Sequence, residues 1–181
     1  MSEISVSVPI KGAPKKFENQ LQKSVYNTLD SLGISYLRVE NDPAVTMEDC
    51  MAIDKAFGQK TVKTVFLTNR QQTKFYLLTM PADKQFVTTQ FCTAMQVPRV
   101  SFANRELLEQ MLGTPQGAAT PLSVVADKDC KVEMVIDMEL LSMEKIVCPD
   151  GTLHGYICLE LTEIIDKYLD ASGHKPHLIS L

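Results

Sequence analysis

The stretch "QKTVKTVFLTNRQQTKFYLLTMP", residues 59–81, contains two runs rich in β-branched and aromatic residues on either side of a polar segment. Such runs predict two β-strands joined by a turn. Lys63 stands where the first run begins, and the residues that follow it, Val65, Phe66 and Leu67, are predicted to be buried. A charged side chain at such a position is either solvated at the rim or directed at an anionic ligand.

Helix-like and strand-like segments alternate around these two strands. Apolar residues at helical spacing predict a helix over 17–32 that Gly33 ends, and Thr46 is a predicted N-cap of a helix through Phe57. Hairpin-like strands follow later in the chain, which predicts a mixed sheet and not a doubly wound parallel one. The other predicted elements are strands at 34–39, 99–103, 131–137, 145–149, 155–161 and 176–181, and helices at 86–96 (capped by Asp83), 105–112 (capped by Asn104) and 162–169.

Composition places the chain among soluble single-domain proteins. It has 181 residues, a formal net charge of −4 and no tryptophan. The longest apolar runs are too short to span a bilayer, and the N-terminus lacks the pattern of a secretory signal, so we expect a cytoplasmic protein without a membrane partner. The five cysteines are scattered and the three histidines match no zinc spacing, so no metal or cofactor is expected.

Charge is distributed unevenly along the chain. Residues 55–82 carry five cations and no acid, whereas residues 137–170 carry eight acids and two lysines. The net negative charge argues against a generic nucleic-acid binder and against DNA, but a locally positive region suits a small phosphate-bearing partner at one edge. The alternative is a solvated charged face. The five cations are Lys55, Lys60, Lys63, Arg70 and Lys74.

The segment "GTPQGAATPLSVVAD", residues 113–127, is predicted to be a shaped loop that leads into a strand, because it contains two prolines and two glycines. Dinucleotide, P-loop, hydrolase-elbow and zinc-protease motifs are all missing from the sequence. The residues alone therefore indicate a mixed α/β domain with a positive region and a glycine-proline loop.

Seven segments in a fixed order resemble the YbaK/prolyl-tRNA-synthetase-associated domain family, in particular its freestanding PrdX or ProX deacylases. The segments are "ENDPAVT", "KTVFL", "LLTMPADKQ", "RVSFANRELLEQMLGTPQGAATPLSVVAD", "MVID", "CPDGT" and "LDASGHKPHLISL". The resemblance covers residues 17–181 as one domain and leaves residues 1–16 as a loose N-terminal arm. It implies a single mixed α/β domain with a partly barrel-like sheet flanked by helices.

The resemblance also implies an activity and partners. Family members hydrolyse mischarged aminoacyl-tRNA, typically tRNA for proline that carries alanine or cysteine. The expected partner is the acceptor end of an aminoacyl-tRNA, with prolyl-tRNA synthetase as a second candidate. Lys63 corresponds to the family lysine and would be the catalytic residue, holding a tRNA terminus or stabilising charge on the attacked carbonyl. The residues that would contact the substrate are Gly117, Ala118, Ala119, Thr120, Pro121, Thr46, Thr64 and Cys148.

Two positions depart from the family pattern and leave a second function open. Thr64 replaces an asparagine, and Cys148 replaces a histidine. Cys148 is expected to fill the space of the histidine; a nucleophilic thiol paired with His154 is the less favoured alternative. Asp137 matches a family aspartate and is expected to be structural. The second function is a non-catalytic relative that binds aminoacyl-tRNA, a synthetase or a small amino-acid-like ligand.

Overall fold

Within residues 3–181, the part of the chain that the computed structural model describes, nine strands form two sheets. The strands are β1 (Ile10–Lys11), β2 (Tyr36–Glu40), β3 (Val62–Asn69), β4 (Phe75–Pro81), β5 (Val100–Phe102), β6 (Val132–Asp137), β7 (Lys145–Pro149), β8 (Gly155–Glu160) and β9 (His177–Ile179). The α-helices are α1 (Gln20–Ser31), α2 (Met47–Phe57), α3 (Thr88–Met95), α4 (Arg105–Leu112) and α5 (Leu161–Glu163), which continues as a π-helix (Ile164–Leu169). Two 3₁₀-helices span Pro121–Ala126 and Met138–Ser142.

The two sheets differ in the direction of their strands. The first has the order β1-β2-β8-β7 and is antiparallel throughout. The second has the order β5-β3-β4-β6-β9, and its last two strands, β6 and β9, run parallel to β4 and to each other. The strands of residues 59–81 are the hairpin β3–β4 near the centre of this second sheet. The prediction of a single mixed α/β domain flanked by helices is confirmed.

Within residues 3–181 the expected partly barrel-like sheet is instead two sheets, which share one hydrophobic cluster and are joined by a single backbone bridge. Thr61, just before β3, forms an isolated parallel bridge with Val147 of β7. The described residues contain no closed barrel. A physical reason lies two residues further along β7, where Pro149 has no backbone N–H to continue a ladder with β3.

Side chains of the hairpin β3–β4 alternate between the two faces of its sheet and pack in two separate hydrophobic clusters. Phe66 of β3 and Phe75 of β4 stack with ring centroids 5.9 Å apart in a cluster shared with β7, β8 and α1. Leu67 and Leu78 point to the opposite face and pack with Phe91 of α3. Because side chains alternate across a strand, successive residues of β3 face two separate hydrophobic clusters.

Helix boundaries largely follow the capping residues in the sequence. Thr46 and Asp49 form a reciprocal capping box at α2, and Asn104 caps α4. The prediction for Asp83 was wrong: α3 begins at Thr88, and its N-cap position, Val87, forms no side-chain cap bond. The predicted loop of residues 113–127 contains the first 3₁₀-helix. No helix of the described residues is long and apolar enough to cross a membrane.

The N-terminal segment is attached to the first sheet and is not a loose arm over its described residues, 3–16. Ser7 N–H donates to Glu40 O at 2.8 Å, and Asp42 N–H donates to Ser5 O at 3.0 Å. The strand β1 continues this pairing along β2. The segment therefore covers an edge of the first sheet; residues 1 and 2 of the predicted arm lie outside the described residues.

Candidate functional site

A cleft of about 360 Å³ follows the free edge of β3, between the 113–120 segment and the end of β7. It gathers four of the residues predicted to form the site: Lys63, Thr64, Gly117 and Ala119. A larger cavity of about 450 Å³ beside β1 and β2 contains none of the predicted site residues. The other lining residues of the cleft are Cys50, Thr61, Val62, Val65, Phe66, Phe102, Ala103, Leu108, Gln116, Pro149 and Tyr156.

Lys63 lines this cleft, but its ammonium is held at one side of it. The side chain lies on the same face of the sheet as Met80, its partner on β4, and its Nζ donates to the carbonyl oxygen of Lys84. Burial lowers the pKa of the Lys63 ammonium, and the nearby carboxylate of Asp83 raises it in opposition. Thr64 points to the other face, where its Oγ1 lies 3.1 Å from Oγ1 of Thr79. The lysine is therefore partly desolvated and bound to a neutral acceptor.

The 117–121 segment divides between cleft and core. Gly117 is exposed with φ +92°, and a Cβ there would lie 3.3 Å from Leu153 Cδ2, so both conformation and space favour glycine. Ala119 also lines the cleft, whereas Ala118 is fully buried. Thr120 and Pro121 are buried at the start of the 3₁₀-helix, where Thr120 Oγ1 accepts from Leu122 N–H at 3.3 Å. Only Gly117 and Ala119 of these five residues reach the cleft.

Cys148 and Thr46 lie outside the cleft lining. Cys148 is fully buried on the inner face of β7, and burial raises the pKa of its thiol to about 12, although a hydrogen bond with Thr120 lowers it. Thr46 is exposed and occupied with the cap of α2. Cys148 therefore fills core space behind the loop, and Thr46 contributes by positioning the helix that brings Cys50 to the cleft.

Two aromatic residues at the cleft were not identified from the sequence. Tyr156 of β8 is buried at its floor beside Cys50, and burial is the largest cause of its raised pKa. Phe102 of β5 is 62% exposed at the rim, and Phe86 packs edge-on against it with centroids 5.5 Å apart. The pattern of "RVSFA" predicts a strand but gives no sign of which side chain stays uncovered.

The cations of residues 55–82 do not form a single patch. Lys60 pairs with Asp83 at 3.3 Å near the start of β3, while Arg70 and Lys74 belong to the turn at its other end.

Lys84 is bound by two carboxylates, Asp137 at 2.7 Å and Glu139 at 2.8 Å. Asp137 is buried in this contact and also accepts from Glu139 N–H at 3.0 Å, in line with the structural role expected for it.

No group of three or more His, Cys, Asp or Glu side chains within residues 3–181 is placed to hold a metal ion. The groups that line the cleft are one ammonium, the Cys50 thiol, hydroxyl groups, backbone amides and aromatic faces.

Comparison with known proteins places this chain and its fold in a family. A family model described as the aminoacyl-tRNA editing domain matches residues 41–167. The prolyl-tRNA editing protein ProX of Acetoanaerobium sticklandii is 26% identical over 160 residues, a match that covers 88% of this chain and 97% of that protein. The prolyl-tRNA synthetase associated domain-containing protein 1 of Mus musculus is 25% identical over 166 residues, covering 90% of this chain and 97% of that one.

A solved structure has the same fold. The crystal structure of a candidate trans-editing enzyme for prolyl tRNA synthetase superposes with a TM-score of 0.67 and 14% sequence identity, and covers 91% of this chain and 99% of that chain. The family model alone extends over more than half of the sequence. The chain belongs to the aminoacyl-tRNA editing domain family, as the order of its sequence segments indicated.

Proposed function

We propose that the protein is a trans-editing hydrolase that cleaves the ester of a mischarged aminoacyl-tRNA, with tRNA for proline carrying alanine or cysteine as the substrate class. The observation that carries this proposal is the cleft whose lining includes Lys63, Gly117 and Ala119, because these residues come from two distant segments of the chain. Both segments resemble parts of one family site. Family membership and the ProX relative support the reaction type.

The reaction is hydrolysis of an ester. Water attacks the aminoacyl carbonyl, the bond from the carbonyl carbon to the ribose oxygen breaks, and the ribose hydroxyl takes up a proton. The products are a free amino acid carboxylate, a tRNA with a free 3′ end and one proton. Lys63 supplies the positive charge: its flexible stem allows the ammonium to leave Lys84 O and to approach a phosphate or the carbonyl oxygen as negative charge develops.

The size of the accepted amino acid is set by the wall of the cleft. Gly117 and Ala119 present no side chain larger than a methyl group, so this wall leaves room for a small aminoacyl group. Ala118 takes no direct part because it is buried in the core.

The acceptor end of the tRNA is bound mainly through its terminal nucleotide. The exposed ring of Phe102 offers a stacking face for the terminal adenine, and Phe86 fixes its orientation. Base–aromatic stacking contributes about 1–3 kcal/mol per base. Lys63 and few other cations stand near the cleft, so phosphate contacts are few, and the salt dependence of binding is shallow, with a slope of roughly −0.7 per single-strand phosphate contact.

A second candidate function is a non-catalytic relative that binds aminoacyl-tRNA, a synthetase or a small amino-acid-like ligand. The observation that favours it is the replacement of two family side chains: Thr64 stands in place of an asparagine and Cys148 in place of a histidine. The bond from Lys63 to Lys84 O is also compatible with a lysine that has no catalytic role.

The two functions are separated by single-turnover deacylation of Ala-, Cys- and Pro-tRNA for proline. We expect faster hydrolysis of at least one mischarged tRNA than in buffer alone, with the correctly charged Pro-tRNA spared. The matched control is the Lys63→Ala variant, with its fold checked by circular dichroism. Binding of Ala-tRNA without acceleration of its hydrolysis would support the non-catalytic function.

A further inference from the structure

The strand β3 uses one edge for β4 and leaves part of the other edge open. Asn69 N–H donates to Lys74 O at 3.2 Å across the β3–β4 turn. Hydrogen-bonded pairs alternate in an antiparallel ladder, so every second residue counted back from Asn69 turns its N–H and C=O toward β4. The residues between them, among them Thr64 and Phe66, turn their backbone groups toward the opposite edge.

That opposite edge is covered at both ends and open in the middle. Ala103 N–H donates to Phe66 O at 2.8 Å where β5 begins to pair, and Thr61 bridges Val147 of β7 at the other end. The reciprocal bond from Phe66 N–H to Ala103 O is not formed, and no group of residues 3–181 donates to Thr64 O. Thr64 C=O and Phe66 N–H thus face the cleft without a protein partner.

The two free groups are those that a neighbouring parallel strand would use. A residue that pairs in parallel with Val65 donates its N–H to the carbonyl of the residue before Val65 and accepts from the N–H of the residue after it. These are Thr64 C=O and Phe66 N–H. Continuing the register of the Thr61–Val147 bridge would place Pro149 opposite Lys63, and because Pro149 lacks an N–H, β7 does not extend its pairing as far as Val65.

An α-amino acid ester carries the matching pair of groups, an α-ammonium that donates and an ester carbonyl that accepts. We propose that the open edge of β3 binds the aminoacyl group of the substrate as a one-residue parallel extension of the sheet. The ammonium donates to Thr64 O, and Phe66 N–H donates to the ester carbonyl oxygen. This inference rests on the proposed function for the identity of the ligand.

Two consequences follow from this geometry. When water attacks the carbonyl, negative charge develops on the oxygen that Phe66 N–H already contacts, so the amide stabilises the transition state more than the ester. Because the pairing is parallel, the ester oxygen and ribose extend toward β5, where Phe102 stands at the rim. The contacts involve only atoms that all α-amino acids share, so they hold the ester without selecting the side chain.

The N–H of residue 66 is tested by replacing Phe66 with phenyllactic acid, which converts one backbone amide to an ester and keeps the ring. We expect kcat to fall roughly 100-fold, the size seen when an oxyanion donor is removed. The matched control is leucic acid at Leu67, whose N–H faces β4. This control weakens the ladder but is expected to keep kcat within about 3-fold, since hydrogen bonds outside the site affect stability and not chemistry.

The ammonium contact is tested by binding two amide-linked probes, 3′-alanylamino-3′-deoxyadenosine and its propionyl analogue, which lacks the ammonium. We expect the alanyl probe to bind about 10-fold more tightly or better, the range of a charge-assisted hydrogen bond. Equal binding of the two probes, or an unchanged kcat with phenyllactic acid at position 66, overturns the inference. A wild-type protein that prefers the alanyl probe but hydrolyses no mischarged tRNA contradicts the proposed function and supports the binding site.

Discussion

In the turn between β7 and β8 a buried polar group has several hydrogen-bond partners within the protein. At the open edge of β3 two polar groups have none among the described residues. In the turn, the buried carboxylate of Asp150 accepts from Gln22 Nε2 and Tyr26 OH at 2.9 Å each, and from Thr152 Oγ1 at 2.8 Å. Thr152 N–H adds a fourth bond at 3.1 Å. At the edge of β3, by contrast, a carbonyl and an amide face a cleft without a protein partner.

The difference separates a structural polar cluster from one that is proposed to bind a ligand. The Asp150 cluster ties α1 to the β7–β8 turn, and Gly155 leaves the room it needs, because a Cβ there would lie 2.1 Å from Asp150 Oδ2. A buried group with all its partners contributes rigidity and uniqueness. A polar group left without a partner at an open cleft is instead available to a ligand.

The largest expected effect on stability comes from breaking the closed cluster with Asp150→Ala. The change leaves buried donors of Gln22, Tyr26 and Thr152 without an acceptor, at about 1–3 kcal/mol each. We expect Tm to fall by roughly 10 °C or more, from about 2–4 °C per kcal/mol for a chain of this size. Thermal unfolding followed by circular dichroism measures it. Asp129→Ala is the control because that side chain is 77% exposed, and an equal loss in both variants would contradict the prediction.

Lys63→Ala should show the reverse pattern, loss of activity without loss of fold. We expect kcat/KM for deacylation of mischarged tRNA to fall about 100-fold or more, since the variant removes the charge that is proposed to stabilise the developing negative charge. The control is Lys60→Ala, which removes a neighbouring exposed lysine outside the cleft lining. Wild-type turnover by a folded Lys63→Ala protein would mean that Lys63 is only a rim residue.

Phe102→Ala should weaken tRNA binding by about 10-fold, within the range of one base–aromatic stack. The effect is expected in KM and not in kcat, because the ring contacts the nucleotide and not the ester. Phe102→Tyr should retain binding close to that of the wild type, because it keeps an aromatic ring at this position. Leu178→Ala is a matched control, since Leu178 is also exposed but lies on β9 at the opposite edge of the same sheet. An unchanged KM in Phe102→Ala would contradict the proposed stacking of the terminal adenine on Phe102.

Ala119→Val and Ala118→Val should separate the two alanines of the loop. The first narrows the cleft, so we expect the ratio of Cys-tRNA to Ala-tRNA hydrolysis to fall several-fold, up to about 10-fold, with little change in tRNA affinity. The second overpacks the core and should cost about 1–3 kcal/mol of stability without changing that ratio. The hydrolysis ratio is measured by deacylation assays and the tRNA affinity by binding assays. Equal losses in affinity and hydrolysis would show that Ala119 does not select the amino acid.

Cys148→Ser should have the smallest effect, with turnover within about 3-fold of wild type, because its thiol is fully buried and does not line the cleft. Burial raises the pKa of this thiol to about 12, so the thiol is almost entirely neutral at pH 8. Iodoacetamide followed by mass spectrometry should therefore modify the exposed Cys130 well before Cys148. Rapid alkylation of Cys148 with loss of activity would favour the thiol-enzyme alternative.

Local sequence was sufficient for most elements, because caps and turns act over a few residues. Thr46 and Asn104 cap the helices that were expected to follow them, and the hairpin around Asp150 and Gly151 forms. Asp83 misled the assignment, since it lies in the turn after β4 and pairs with Lys60. The short 3₁₀-helix within residues 113–127 was not predicted, because the prolines and glycines of this segment are equally typical of irregular structure.

By itself, then, the sequence determined the hairpin β3–β4, most of the helix boundaries and the family. It also pointed to two residues that line the cleft, Lys63 and Gly117. These follow from residue spacing, capping chemistry and ordered motifs, all of which are written along the chain. Only the tertiary structure decided that Ala119 faces the cleft while Ala118 and Cys148 are buried. It alone also decided that the edge of β3 stays open at Thr64 and Phe66, because backbone pairing and side-chain burial depend on which distant strands arrive as neighbours.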